Sequence, residues 1–322
     1  MEPLLKVENL KKYFPIRGGV LYREVARVHA LDDVSFEVAP GETLGIVGES
    51  GCGKSTLGRS IAQLYKPTSG QVVFMGQDLC PFGRKELRPI RKKLQMIFQD
   101  PYESLNPRLS IEDILMESYI IHNPKESYAS RVEKIKGLLK RVGLPESARF
   151  RYPHEFSGGQ RQRIGIARAI SQSPKLIICD EPVSALDVSI QSQIINLLLE
   201  LQVELSLSYI FISHDLSVVR HISDRIVVMY LGKIVEVASS DDLYENPCHP
   251  YTKALISAIP VPDPMRKKER IILEGDVPSP ISPPSGCRFR TRCSMAKDIC
   301  REKEPPLVES GGRQVACHFA GE

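Results

Sequence analysis

A glycine-rich stretch near residue 50 constrains this chain more than any other feature of its sequence. Gly48-Glu49-Ser50-Gly51-Cys52-Gly53-Lys54-Ser55 fits the pattern G-x-x-x-x-G-K-[ST]. It follows a short apolar segment at 44–47 and precedes a segment of helical character from about 54 to 64. Glycines let the backbone curl until successive N–H groups point at one anion, and the positive end of the next helix dipole adds to that attraction. The stretch therefore predicts a phosphate-binding loop between a buried strand and a helix.

The side chains of this loop have distinct predicted roles. Lys54 is expected to reach the β- and γ-phosphates of a nucleoside triphosphate, and Ser55 is expected to bind Mg²⁺. Cys52 occupies a variable position of the pattern, so we interpret its side chain as a packing group. The residues predicted to surround the phosphates are Gly48, Ser50, Gly51, Cys52, Gly53, Lys54, Ser55 and Thr56.

Polar residues follow other apolar segments that read as buried strands. Asp180 and Glu181 come directly after the apolar run at 176–179, and His214 follows the run at 209–212. Ligands of such sheets bind beyond the carboxyl ends of the strands. Asp180 is therefore predicted to hold Mg²⁺, directly or through water, and Glu181 to polarise the attacking water. By the same placement, His214 is expected at the γ-phosphate, and Gln99 near the metal and the water.

These placements define two predicted residue sets. The predicted catalytic residues are Glu181, His214, Lys54 and Gln99. The predicted Mg²⁺ ligands are Ser55, Gln99 and Asp180.

Strand and helix patterns alternate along most of the chain. Alternation of apolar and polar residues over 4–38, interrupted at Gly18-Gly19, predicts short antiparallel strands. The stretch 100–156 reads as mostly helical, and segments on either side of Gly232 predict a hairpin. Strands that alternate with helices imply an α/β fold with a mainly parallel sheet covered on both faces.

Bulk composition excludes some classes of function. The chain has 322 residues, of which 42% are apolar, and its net charge of +4 is too small to argue for nucleic acid by itself. No apolar run of about 18 residues exists, and the N-terminus lacks the pattern of a signal peptide. If the protein serves a membrane process, we expect other chains to supply the membrane part.

A second glycine pair lies in Phe156-Ser157-Gly158-Gly159-Gln160. Ser157 is a good helix N-cap, and the glycines expose backbone N–H groups at the helix start, so a second anion site is predicted. The segment resembles the signature motif of ABC ATPases, with Phe where Leu is commoner. The resemblance extends over about 4–240, with a D-loop-like segment at 184–187.

The resemblance implies a fold and a mode of ATP binding. It implies the α/β P-loop NTPase fold of ABC type, with a mainly parallel core sheet, an antiparallel β subdomain and a helical subdomain at about 100–160. Two such domains pack head to tail, and each ATP lies between one phosphate loop and the other domain's signature. Tyr13 matches the aromatic residue that stacks on adenine, with Phe14 as the alternative. The implied signature contacts are Ser157, Gly158, Gly159 and Gln160.

Further segments resemble the ATPase subunits of oligopeptide and dipeptide permeases. These are 99–107, 246–255 and the C-terminal cysteines. With Gln160 in its signature-like segment, the chain looks more like the second of the two ATPase subunits of these permeases. The resemblance implies ATP-driven import of di- or oligopeptides at the cytoplasmic face of the inner membrane. The implied partners are a second ATPase subunit, two transmembrane permease subunits and an extracytoplasmic solute-binding protein, with no nucleic acid. Nickel or another solute, and a homodimer, stay open.

Other classes of ABC ATPase and a non-enzymatic role were also weighed. Repair-type members carry long coiled-coil insertions, and translation-type members carry two ATPase domains, neither of which this sequence has. A redox-sensing module that uses the cysteines is disfavoured by the intact set of Lys54, Asp180, Glu181 and His214.

The sequence is divided at residue 240 into an ATPase domain, 1–240, and a proline-rich C-terminal extension, 241–322, which we expect to be extended and irregular. Of the eight cysteines, those at 287, 293, 300 and 317 cluster there. Their spacing is poor for zinc. The resemblance to permease ATPases implies a structural [4Fe–4S] cluster bound by Cys287, Cys293, Cys300 and Cys317, with zinc and no metal as alternatives.

Overall fold

The computed structural model describes residues 2–19, 22–100, 104–260 and 270–320. Its backbone forms two compact units. The first unit comprises 1–39, 43–80 and 212–322, and the second comprises 40–42 and 81–211. The domain division at residue 240 stays a prediction, and the two units are described separately below.

Strands and helices alternate through both units, as the sequence patterns predicted. The strands are β1 (Leu5–Gly18), β2 (Arg23–Val38), β3 (Thr43–Val47), β4 (Ser69–Phe74), β5 (Gln77–Asp78), β6 (Leu94–Ile97), β7 (Leu176–Asp180), β8 (Ser208–Ile212), β9 (Arg225–Tyr230), β10 (Lys233–Ser239), β11 (Val308–Ser310) and β12 (Arg313–Val315). The helices are α1 (Lys54–Ile61), α2 (Arg84–Lys93), α3 (Ile111–His122), α4 (Tyr128–Arg141), α5 (Gly158–Ile170), α6 (Val188–Leu205), α7 (Leu216–Ile222), α8 (Ser240–Glu245), α9 (Pro250–Ser257) and α10 (Ile299–Glu302).

An antiparallel sheet in the first unit has the strand order β2-β1-β4-β5. Its two long strands pair with Leu5 opposite Val38 and Tyr13 opposite His29. Alternate residues at the start of β1 are buried, including Leu5 and Val7, because successive side chains of a strand point to opposite faces. The strands are longer than the short ones that the sequence predicted, since pairing with β4 and β2 supports both edges of β1.

A second group of strands in the first unit has the order β11-β12-β10-β9-β3. β3 runs parallel to β9 and is entirely buried. β9 and β10 form the predicted hairpin, whose turn at Leu231-Gly232 has positive φ at both residues. β12 extends this group by pairing with β10. The C-terminal extension is therefore less irregular than its prolines suggested, because part of it joins a sheet.

The second unit combines helices with parallel strands. β6 and β7 pair in parallel, with Leu94 opposite Leu176. The region predicted as mostly helical contains α3 and α4, whose N-termini are capped by the side chains of Ser110 and Ser127. In the part of the chain that the structure describes, every helix is too short or too polar to cross a membrane.

Candidate nucleotide-binding site

The phosphate loop lies between β3 and α1 in the first unit, as predicted. Gly48, Gly51 and Gly53 all have positive φ. A Cβ added at Gly53 would lie 2.3 Å from the carbonyl oxygen of Ala30, and one added at Gly48 would lie 2.2 Å from that of Met229. Backbone packs against backbone at both positions, so only glycine fits. Such a curl is the backbone conformation in which successive N–H groups can point at one anion.

Lys54 begins α1 and is 5% exposed. Its Nζ donates hydrogen bonds to the carbonyl oxygens of Gly48, at 2.7 Å, and Glu49, at 3.0 Å. The loop thus wraps around the ammonium group. Cys52 is buried, and burial raises the pKa of its thiol, which agrees with a packing role. Ser50 and Gly51 lie at the exposed tip of the loop, and Ser55 and Thr56 lie half-buried on the first turn of α1.

Two of the predicted catalytic side chains meet in the second unit. The Nε2 of Gln99 donates a hydrogen bond to the Oε2 of Glu181 at 3.0 Å. β7 ends at Asp180, which is completely buried, and Glu181 follows with a φ of 48°. This left-handed turn directs the chain away from the strand immediately after the two acids. Gln99 begins the predicted permease-like segment 99–107, of which residues 101–103 lie outside the described residues.

His214 and Tyr13 are placed in the first unit. His214 lies exposed on the turn between β8 and α7, where the N–H of Asp215 donates to the Oγ of Ser213 at 3.0 Å. The ring of Tyr13 packs on His29 with centroids 4.4 Å apart, and its hydroxyl donates to Asp32 at 2.6 Å. Burial and this hydrogen bond raise the pKa of Tyr13 to about 12, so the hydroxyl stays protonated.

Phe14, the alternative adenine-stacking residue, has different neighbours. Its ring lies edge-on to Tyr65, with centroids 5.5 Å apart, and the ammonium of Lys12 lies 4.8 Å from its centroid. Phe14 has no polar tip to anchor, whereas the hydroxyl of Tyr13 is tied to Asp32. The choice between the two rings stays a prediction.

The signature-like segment caps α5 in the second unit. The Oγ of Ser157 accepts from the N–H of Gln160 at 3.4 Å, and the Oε1 of Gln160 accepts from the N–H of Ser157 at 3.0 Å. This reciprocal capping fixes the start of the helix. Both polar residues are exposed, Gly158 is half-buried and Gly159 is buried. Phe156 is 5% exposed and anchors the segment from behind.

Sequence reasoning missed the contacts that the C-terminal extension makes with the phosphate loop. The guanidinium of Arg292 forms two hydrogen bonds with the carboxylate of Glu49, at 2.7 and 3.1 Å. The N–H of Glu49 donates to the hydroxyl of Tyr251 at 2.8 Å. Glu49 occupies a variable position of the loop pattern, and no local signal links it to an arginine 243 residues away.

The prediction of a [4Fe–4S] cluster is wrong. Among the described residues, no three of histidine, cysteine, aspartate and glutamate are arranged so that they could hold a metal ion, which also removes the zinc alternative. The cysteines are free thiols, and burial raises the pKa of Cys287 to about 11. The residues that are no longer assigned as cluster ligands are Cys287, Cys293, Cys300 and Cys317.

Comparison with known proteins identifies the relatives of this chain. Residues 31–184 match the family model described as ABC transporter, and residues 235–300 match the one described as oligopeptide/dipeptide transporter, C-terminal region. The oligopeptide transport ATP-binding protein AppF of Bacillus subtilis (strain 168) is 57% identical over 322 residues, which cover 99% of this chain and 98% of the relative. The oligopeptide transport ATP-binding protein OppF of Salmonella typhimurium is 53% identical, over 98% of this chain and 95% of the relative.

Solved structures agree with this likeness. A dimeric post-hydrolysis structure of the ATP-binding cassette MJ0796, bound to ADP and Pi, matches with a TM-score of 0.66 and 29% identity, over 73% of this chain and 98% of that chain. The cbiO1 protein of Clostridium perfringens, part of an ABC transporter complex, matches with a TM-score of 0.65 and 28% identity, over 76% of this chain and 92% of that chain. The fold predicted from the sequence is therefore confirmed.

Proposed function

Since this chain belongs to the ABC transporter family, within its oligopeptide transport ATP-binding proteins, we propose that it powers the import of oligopeptides or dipeptides through a membrane permease. Its reaction is ATP hydrolysis, the activity of this family. The observation that carries the proposal is the 57% identity to AppF over 99% of the chain, together with the match of residues 235–300 to the oligopeptide/dipeptide C-terminal region.

At the phosphate loop, the proposed role of the chain is to bind and neutralise the triphosphate. The curled backbone presents N–H groups, and Lys54 exchanges its contacts with the carbonyls of Gly48 and Glu49 for the β- and γ-phosphates. When bound, Mg²⁺ supplies charge neutralisation between those phosphates. The side chains of Ser55, Asp180 and Gln99 offer hydroxyl, carboxylate and amide oxygens, the type of ligand that Mg²⁺ prefers, and these residues would hold it.

At the reacting water, the proposed general base is Glu181. Its carboxylate accepts a proton from water as the oxygen attacks the γ-phosphorus in line with the departing ADP oxygen. The 3.0 Å hydrogen bond from Gln99 orients that carboxylate, and we assign His214 to the γ-phosphate. Catalysis of this type is mostly positioning and charge stabilisation, and removal of one such electrostatic donor costs about 2.7–4 kcal/mol in other enzymes.

The signature-like segment is proposed to act on the nucleotide of a second ATPase domain. The exposed side chains of Ser157 and Gln160, together with the N–H groups at the start of α5, suit an anion brought by another molecule. The MJ0796 cassette is described as a dimer, which supports the same arrangement here. We propose a sister ATPase subunit as the partner, with Gln160 characteristic of the second subunit type.

The remaining partners follow from the proposed transport role. They are two transmembrane permease subunits and an extracytoplasmic solute-binding protein, and the chain would lie at the cytoplasmic face of the inner membrane. Tyr13 or Phe14 would stack on adenine in this assembly. Co-purification from the native membrane, with identification of the accompanying chains and transport assays in vesicles, tests this assignment. Uptake of nickel but not of peptides would move the solute to another class, and recovery without any permease chain would exclude the transport role.

The variant Glu181→Gln tests the chemistry separately. It is expected to bind ATP but to hydrolyse none, because the amide cannot accept the proton of the water. Lys54→Ala is the matched control, since it should lose nucleotide binding itself. ATP affinity by calorimetry and phosphate release by a coupled assay distinguish the two variants. Phosphate release by Glu181→Gln near the parent rate would refute the assignment of the base.

A further inference from the structure

Arg292 connects the C-terminal extension to the phosphate loop through a forked ion pair. Each of its terminal nitrogens bonds a different oxygen of Glu49, at 2.7 and 3.1 Å. The Arg292 side chain is 8% exposed and that of Glu49 is 28% exposed, so water screens the pair weakly. Two parallel hydrogen bonds fix orientation as well as distance. The hydrogen bond to Glu49 raises the pKa of Arg292, which keeps the guanidinium charged.

Tyr251 makes a second contact with the same loop residue. Its hydroxyl accepts from the backbone N–H of Glu49 at 2.8 Å, and its side chain is completely buried. The ring packs against Tyr230, with centroids 4.8 Å apart, and against Phe289, with centroids 5.4 Å apart. An aromatic cluster of this kind is rigid, so it holds the hydroxyl in place.

The two contacts converge on the part of the loop that holds the catalytic lysine. Lys54 donates to the carbonyl oxygens of Gly48 and Glu49, so Glu49 is bound by Lys54 through its C=O and by Tyr251 through its N–H. The carboxylate of Glu49 also introduces a negative charge into a loop that receives a triphosphate. Arg292 neutralises that charge, which reduces repulsion of the nucleotide.

We propose that Arg292 and Tyr251 are positioning residues for ATP: the C-terminal extension holds Glu49 so that the phosphate loop is preformed and its negative charge is masked. The extension then has a role at the ATP site in addition to any contact with a permease. This inference rests on the proposed nucleotide site. The parent protein and its Lys54→Ala variant, measured in the same assays, test that site independently of the contacts that Arg292 and Tyr251 make with Glu49.

The experiment compares single and paired variants of the full chain. Arg292→Ala is expected to raise the Kd and KM for ATP about tenfold with a smaller change in kcat, because a part-buried charge-assisted pair is lost and Glu49 is left to repel phosphate. Arg290→Ala is the matched control: it lies in the same turn, and its Nε donates to the carbonyl oxygen of Ser285 at 2.9 Å. The control should retain the parent Kd and KM.

The paired variant separates charge masking from a merely structural role. Glu49→Gln with Arg292→Ala should recover most of the lost affinity, because no unpaired carboxylate remains near the phosphates. Tyr251→Phe removes one hydroxyl and leaves the aromatic cluster, and it should raise KM severalfold while the melting temperature without nucleotide changes little. If Arg292→Ala does not fold, Tyr251→Phe and Glu49→Gln/Arg292→Ala still decide the matter.

Some results would overturn the proposal. One is an unchanged Kd for ATP in Arg292→Ala and Tyr251→Phe alike. Another is a paired variant that binds ATP as weakly as Arg292→Ala, if the loss of ATP affinity among the variants also follows the fall in their melting temperature without nucleotide. That pattern would mean that the contacts contribute to stability alone.

Discussion

The chain carries two glycine-rich elements that are proposed to grip phosphate, and they are built differently. In the phosphate loop, Gly48 and Gly53 have positive φ and lie against backbone carbonyl oxygens. In the signature-like segment, Gly158 and Gly159 begin a helix, and the atoms nearest to an added Cβ belong to the side chains of Leu186 and Ile190. Close contacts with backbone require glycine in the first pair, whereas only neighbouring side chains limit the second pair.

This difference separates an element that is held in shape within one chain from an element whose proposed ligand is brought by another. The phosphate loop is wrapped around Lys54 and held by Tyr251 and Arg292, all within the first unit. The signature-like segment instead presents the exposed side chains of Ser157 and Gln160, each of which accepts a hydrogen bond from the backbone N–H of the other residue. Variants of the first element should therefore change nucleotide binding by one isolated chain, and variants of the second should change nucleotide hydrolysis only in the assembly.

The largest effect is expected for Gly53→Ala. Gly53 has a φ of 108°, and an added Cβ would lie 2.3 Å from the carbonyl oxygen of Ala30. The loop must therefore move, and its N–H groups would no longer point at one anion. ATP binding should fall below detection, and the free energy of unfolding should drop by about 3 kcal/mol or more. Calorimetry and denaturant unfolding measure the two changes.

Gly51→Ala is the matched control for that variant. Its φ is also positive, at 78°, but no atom lies within 4 Å of the added Cβ. Only the backbone strain remains, about 1–2 kcal/mol. Equal losses of ATP binding in the two variants would contradict the view that close backbone packing shapes the loop.

Gly158→Ala should produce the next largest effect, on activity alone. The added Cβ would meet only the end of the Leu186 side chain, at 3.3 Å, and alanine is the better helix former, so the isolated chain should be as stable as the parent or slightly more stable. ATP binding to the phosphate loop should be unchanged. Hydrolysis in the assembled complex should fall about tenfold or more, because the methyl group keeps a phosphate from the helix start. A normal rate would show that no phosphate approaches Gly158.

Protonation of His249, which caps the helix that carries Tyr251, should produce a smaller effect, on the stability of the chain. Burial lowers the pKa of His249 from 6.5 to about 3, and its Nδ1 accepts from the N–H of Tyr251 at 3.1 Å. The unfolded chain therefore takes up a proton first, so stability is complete above pH 6.5 and is lost as the pH falls towards 3. Between pH 7 and pH 5 the expected loss is about 2 kcal/mol.

His249→Asn provides the comparison for that loss. Asparagine still offers a side-chain oxygen as the N-cap of α9 but does not titrate. The variant should lose about 2 kcal/mol less than the parent between pH 7 and pH 5, as measured by denaturant unfolding at both values. Identical losses would mean that His249 is already accessible to protons in the folded protein.

Local motifs predicted much of this molecule, and long-range contacts account for the rest. The strand, glycine loop and Lys54 lie consecutively in sequence, and the meeting of Gln99 with Glu181 followed from parallel strand ends. The pair of Arg292 with Glu49 joins residues with no shared local pattern. The β11–β12 hairpin likewise depends on pairing with β10, which the prolines of the extension concealed. For the cysteines, the resemblance to permease ATPases implied a metal cluster that the described residues do not form.

The smallest effect is expected at Ser157, and two substitutions there sharpen the comparison. Ser157→Ala removes the N-cap of α5, whose 3.4 Å bond to the Gln160 N–H is long, so stability should fall by about 0.5–1 kcal/mol. Ser157→Asp keeps a capping oxygen and should restore that stability, but its negative charge would repel a phosphate. Denaturant unfolding of the isolated chain should therefore rank aspartate above alanine, whereas hydrolysis by the assembly should rank alanine above aspartate. The same ranking in both assays would mean that Ser157 only caps a helix, and the phosphate loop would then be the sole anion-binding element of the two.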